Sequence, residues 1–148
     1  MGFKEAIRTC LKEKYATFSG RATRSEFWWF QLFLYLVSFG MSFMVGLFSV
    51  GRERGQDIPP SVLAMAIIST LITLAMFLPA ISGAVRRFHD RNISGWWFLG
   101  LFVALFVPIV NLLAVIAALV IFIPAGTKGP NKFGPDPLNP PSTAEVFA

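Results

Sequence analysis

FWWFQLFLYLVSFGMSFMVGLFSV, Phe27 to Val50, is 24 residues without an Asp, Glu, Lys, Arg or His. At 1.5 Å per helical residue it reaches about 36 Å, enough to cross a hydrocarbon core of about 30 Å with some tilt. Ser61 to Val85 is a second charge-free block, of 25 residues. Pro79, near its end, should bend or loosen the last turns because it removes an amide and crowds the preceding turn. Trp96 to Ile123 is a third, of 28 residues, interrupted by Pro108 and Asn111. The simpler reading of this block is one kinked helix of about 42 Å that spans and protrudes. The other has Trp96 to Val107 entering, a turn at Pro108 to Asn111, and Leu112 to Ile123 returning. Each arm would then be about 18 Å, too short to cross, and the backbone of the turn would need burial against protein.

Composition agrees with the blocks. Hydrophobic residues make up 55% of the 148 and charged residues 14%, against about 25% charged in an ordinary soluble domain. The length suits one domain. The expected fold is an all-α membrane protein with three transmembrane helices, the third kinked or re-entrant at Pro108. Its spans are about 27–50, 61–85 and 96–123, within a helical domain over 20–125. With one Cys and one His, neither an internal disulfide nor a Cys/His zinc site can form. No metal and no cofactor is expected. A cleaved signal peptide is not expected either, because the first apolar run starts only at Phe27 and is too long for a signal core.

The net charge of +5 would suggest nucleic acid in a soluble protein. Here the basic residues flank apolar blocks, so anionic lipid headgroups are the expected partner, and nucleic acid is not. With three crossings, the N-terminal segment and the loop around Arg86, Arg87 and Arg91 share a side and hold nine of the 13 basic residues. The loop 51–60 and the C-terminal tail hold the other four. This asymmetry puts the N-terminus in the cytoplasm, and the expected location is a bacterial inner membrane.

Residues 1–19 form a separate element. Phe3, Ile7, Cys10, Leu11 and Tyr15 share one helical face, while Lys4, Arg8 and Lys12 line another. Like charges four apart repel in water but suit lipid phosphates, so this is read as an interfacial amphipathic helix. A helix packed on the loops is the alternative. The tail, 126–148, is dense in Pro, Gly and Asn; it should be coil with shaped turns, disordered beyond Leu138.

Thr23-Arg24-Ser25-Glu26 is a Thr-x-x-Glu capping box ahead of the first span. It accounts for Glu26 structurally; the competing role is an ion pair with a nearby arginine. Trp28 and Trp29, and again Trp96 and Trp97, suit the aromatic belt at the membrane interface. Arg86-Arg87-Phe88-His89-Asp90-Arg91 holds three guanidiniums, the single imidazole and a carboxylate. Guanidinium forks suit phosphate, His can titrate near neutrality, and yet a short basic loop is also what topology alone requires. Inside the spans, Ser38, Ser42 and Gly46 form a small-residue stripe that permits close helix packing. The blocks hold no ionisable group, which disfavours an ion pump or proton-coupled carrier.

Three segments together resemble the domain-of-unknown-function 805 family of bacterial inner-membrane proteins. They are Phe18-Ser19-Gly20-Arg21-Ala22-Thr23-Arg24-Ser25-Glu26-Phe27-Trp28-Trp29-Phe30, Arg86 to Trp97, and Gly129-Pro130-Asn131-Lys132-Phe133-Gly134-Pro135-Asp136-Pro137. Phe88 and Phe133 stand where the family often has Leu and Tyr. The resemblance implies fold and location and supplies no catalytic residues. It also implies that the third segment shares a side with the first two only if the third block turns back at Pro108.

The expected function is a non-enzymatic binding or accessory module. Arg21, Arg24, Glu26, Arg86, Arg87, His89, Asp90 and Arg91 should converge into one polar site for anionic lipid or an acidic partner. Asn131 and Asp136 are the candidate contributions from the tail, and Lys4, Arg8 and Lys12 should face the lipid surface. A membrane-protein partner or a second copy of the chain is also compatible. The alternatives are a membrane-surface enzyme acting on a phosphorylated lipid through His89 and Asp90, and a small carrier or channel.

Overall fold

The computed structural model describes residues 1–51 and 57–139. Five α-helices follow one another: α1 (Phe3–Arg8), α2 (Arg24–Ser49), α3 (Pro60–Asp90), α4 (Trp96–Ala104) and α5 (Val110–Phe122). Two of them, α2 with 26 residues and α3 with 31, are long and apolar enough to cross a membrane. They pack on each other, with α3 beginning at Pro60, where the missing amide costs nothing.

The third apolar block is not one kinked helix; it takes the other expected form, two short helices that turn back around Pro108. The chain breaks between Ala104 and Val110, and α5 runs back beside α4. With nine and 13 residues, these helices reach only about 14 and 20 Å. Pro108 supplies the break, and Ile109 takes a left-handed φ of 71° at the head of α5. That conformation is strained for a β-branched residue. The reversal brings Phe122 back to the end of α3, where it stacks on Phe27 at 4.5 Å and meets Phe88 edge-on at 5.4 Å.

The N-terminal element is shorter than its periodicity suggests. After Arg8 the helix widens into a π-turn over Thr9–Glu13. Ala6, Thr9 and Cys10 are buried, and Phe3 meets Trp29 of α2 edge-on at 5.8 Å. Lys4, Arg8 and Lys12 stay exposed. Beyond the π-turn, Tyr15 donates its hydroxyl to the Ala75 carbonyl. Pro79 lies four residues after Ala75 inside α3, so this is the carbonyl that proline leaves without an amide. Ser82, fully buried, sits within 3.4 Å of the carbonyls of Lys14, Tyr15 and Pro79.

The small-residue stripe does not draw the helices together along its length. Ser42 and Gly46 are exposed, and a Cβ on Gly46 would meet nothing within 4 Å. The helices converge instead at the basic end, where the buried residues Glu26, Phe27, Phe30 and 82–84 lie. The disorder expected beyond Leu138 falls mainly on 140–148, outside the described residues, as does the basic pair Arg52 and Arg54.

Candidate functional site: a buried ion-pair latch under a basic rim

Arg86 and Arg87 are consecutive on α3, about 100° apart around the helix, so their side chains leave in different directions. Arg86 turns toward α1 and α2. It pairs with Glu26, the side chains being 0% and 3% exposed, and its Nη2 lies 3.9 Å from Cys10 Sγ. Burial and the adjacent Glu26 carboxylate push the Cys10 thiol up. Arg86 Nε has no partner among the described residues.

Arg87 turns toward the hairpin and tail. It pairs with Asp90 three residues on and donates to the carbonyls of Phe122, at 3.2 Å from Nη2, and Pro124. Asp90 accepts a second guanidinium, Arg21, whose Nε lies 2.9 Å from Oδ1. Arg21 spans onward to the tail, reaching Gly129 O at 2.7 Å and Thr127 O. The expected single cluster is thus two adjoining ones, Arg86–Glu26 and Arg21–Asp90–Arg87. Three buried guanidiniums face two carboxylates. Backbone carbonyls take up further donors of Arg21 and Arg87, while Arg86 keeps Nε unpaired among the described residues. A charge out of water is tolerated only where such partners compensate it.

The tail closes this arrangement. At the end of α3, Asn92 adopts a left-handed φ of 59°, a role usually taken by glycine at helix ends. Thr127 N donates to Asp90 O at 2.8 Å and Asn131 Nδ2 to His89 O at 2.9 Å, capping the helix. Asp136 orders the tail itself, accepting from Gly129 N at 3.0 Å and Leu138 N at 2.9 Å. Those two amides hold its carboxyl below the usual range of 3.8. Gly126 is obligatory for contact: a Cβ there would lie 2.0 Å from Asp90 Oδ2.

His89 and Asp90 do not form an acid–base pair. The Asp90 carboxylate is committed to Arg21 and Arg87. The imidazole stacks on Phe133 with centroids 3.9 Å apart and planes 6° apart, and its Nδ1 lies 3.2 Å from Gly20 O. Nor does Glu26 complete the capping box. Thr23 Oγ1 accepts from Glu26 N at 3.1 Å, but the carboxylate turns to Arg86 instead. A charge-assisted bond to guanidinium outcompetes one to a neutral amide.

Arg24 remains exposed and Arg91 half-buried, the latter donating to Ala125 O. With Thr127 and Lys128 of the tail, Arg24 and Ser25 border a groove of about 370 Å³ above Asp90. Thr127, Lys128, Lys132 and Phe133 belong to this end and were missed as site residues. Lys132 and Phe133 were signalled by the third family motif, whose placement depended on the reversal at Pro108; Thr127 and Lys128 lie just ahead of it and carried no signal. That reversal also moves Lys128 and Lys132 to the side of Arg21, so the tail does not join the loop 51–60 in opposing it.

Two membrane-length helices, a half-length hairpin and a tail latched over buried ion pairs define a helical integral membrane protein. The family model described as Protein of unknown function (DUF805) matches residues 15–135, and the chain belongs to that family. It is 38% identical over 125 residues to Inner membrane protein YhaI of Escherichia coli strain K12, covering 84% of this chain and 89% of the relative. It is 34% identical over 125 residues to Inner membrane protein YhaH of the same strain, covering 84% and 90%. No solved structure matches it.

Proposed function

We propose that this protein is a non-enzymatic module of a bacterial inner membrane that presents a basic cytoplasmic surface to anionic lipid headgroups. The observation that carries this is the division of charge at one end. Arg21, Arg86 and Arg87 are buried and paired with Glu26 and Asp90, whereas Lys4, Arg8, Lys12, Arg24, Lys128 and Lys132 are exposed around them. The buried set builds the frame and the exposed set meets the lipid. Each exposed cation near an anionic leaflet contributes about 1 kcal/mol. The names of the relatives support the location. The placement of both tail lysines beside the N-terminal basic residues supports a cytoplasmic N-terminus, with α1 lying at the interface.

All four tryptophans lie close to this end in sequence, at the heads of α2 and α4, which supplies the test. In vesicles of phosphatidylcholine doped with pyrene-labelled phosphatidylglycerol, energy transfer from tryptophan should exceed that to labelled phosphatidylcholine. The excess should fall with salt and with Lys4→Gln, Arg8→Gln, Lys12→Gln, Arg24→Gln and Lys128→Gln combined. Equal transfer to both lipids at low salt would overturn the reading. For orientation, a Lys4→Cys variant made in a Cys10→Ser background should resist a periplasmic thiol reagent in intact cells; efficient labelling would reverse the topology.

A further inference from the structure

A slot of about 640 Å³ opens between α3 and α4. Phe77, Ile81 and Val85 form one wall at four-residue spacing, and Phe98, Leu99 and Phe102 form the other. From Phe77 to His89 it follows α3 for twelve residues, about 18 Å, close to the depth of one leaflet, about 15 Å. Its lining changes abruptly at the basic end, where His89, Ser94, Gly95 and Phe133 surround the mouth. Lys132 lies just outside the lining, its Nζ 5.0 Å over the Phe133 ring, whose other face His89 covers.

The mouth has a defined hydrogen-bonding sense. His89 Nδ1 lies against Gly20 O, and a carbonyl only accepts, so Nδ1 carries the proton. In the neutral ring Nε2 is then an acceptor. Nε2 makes no hydrogen bond among the described residues; it lies beside Gly95, where a Cβ would come 3.2 Å from it and 2.6 Å from Val85 Cγ1, so only glycine fits there. Ser94 Oγ makes no hydrogen bond among the described residues and can both donate and accept.

We infer that this slot is a binding site for one anionic phospholipid with a hydroxylated headgroup, of the phosphatidylglycerol class. One acyl chain lies between Ile81 and Leu99, the phosphate faces Lys132, and a headgroup hydroxyl donates to His89 Nε2 with Ser94 beside it. Charge complementarity selects an anion, the acceptor nitrogen selects a hydroxyl donor, and the leaflet-deep aromatic walls select a chain. The site is separate from the Arg24 and Lys128 groove and shares only Lys132 with the surface reading above.

The test is native mass spectrometry of the full chain in neutral detergent at high salt, titrated with defined lipids. One phosphatidylglycerol should be retained per chain, ahead of phosphatidate, which lacks the glycerol hydroxyls, and well ahead of phosphatidylcholine. Lys132→Gln should weaken retention about fivefold, and Ser42→Ala, on the exposed flank of α2, should leave it unchanged. Ile81→Trp, which fills the slot, should abolish retention; Leu99→Trp does the same from the opposite wall should the first variant fail to fold. Equal retention of phosphatidylcholine, or a retained lipid indifferent to whichever slot-filling variant folds, would overturn the site. The vesicle experiment reads many exchanging lipids at low salt, so the two readings fail separately.

Discussion

Tyr15 donates a hydrogen bond to Ala75 O, the carbonyl that Pro79 deprives of its helical partner. A residue 60 positions upstream thus repairs a defect built into the longest helix. Tyr15→Phe should lower stability by about 1 kcal/mol, the usual net value of one hydrogen bond. Thermal unfolding in detergent checks it, with Tyr35→Phe on the exposed flank of α2 as control. Equal melting of the two variants would mean that the carbonyl is satisfied in another way.

Glu26→Gln should be far more damaging, because it strands Arg86 without a counter-charge. Loss of one member of a buried pair costs about 3–5 kcal/mol. Asp57→Asn, at an exposed position, should change stability by less than about 0.5 kcal/mol. Adding Arg86→Met to Glu26→Gln should recover part of the loss, since no unpaired charge remains. A double variant less stable than the single one would contradict this.

Two glycines should respond with opposite sign. A Cβ on Gly126 meets the Asp90 carboxylate, while one on Gly100, within α4, meets nothing within 4 Å. Gly126→Ala should destabilise by about 1–3 kcal/mol as the tail is pushed off Asp90. Gly100→Ala should stabilise by about 0.5–1 kcal/mol, because alanine loses less backbone freedom in a helix. Melting temperatures moving the same way would show that the tail accommodates the methyl.

Acid should loosen the tail in a defined window. The Asp136 carboxyl is held below its ordinary 3.8 by the amides of Leu138 and Gly129. Its contribution is therefore complete above that value and is lost as pH falls through the lower folded one. Proteolysis of the tail by an acid-active protease should accelerate as pH drops below about 4, and Asp136→Asn should already be cut faster at neutral pH and show less further change. An unchanged pH response in Asp136→Asn would assign the transition to another carboxylate.

The two long helices were legible because a charge-free run of such length has few uses outside a bilayer. The half-depth hairpin was not. Proline inside an apolar run either kinks or ends a helix, and what decides at Pro108 lies far away, in the carbonyls of Phe122 and Pro124 that hold Arg87. Thr23 was readable as a cap from its four-residue neighbourhood. The Glu26 carboxylate was not, since its partner is 60 residues on. Charge alone put Arg21, Glu26, Arg86, Arg87 and Asp90 on one list, but with Arg24, His89 and Arg91, which the ion pairs leave out. The division of the first five into two pair groups follows from the turn angle between Arg86 and Arg87, and the part played by Thr127 and Phe133 from the hairpin.

The latch also has a timetable. Arg21 is made 106 residues before Thr127, one of the carbonyls that holds it. At about 5–20 residues per second, that interval lasts roughly 5–20 s. By its last third, after Asp90, both long helices have been made, yet Arg21 and Arg87 still lack their tail and hairpin acceptors. The nascent protein must wait with these guanidiniums hydrated at the membrane surface until Pro124, Thr127 and Gly129 arrive to draw them in. A chain stopped short of Thr127 would reach the membrane with its helices but never complete this end.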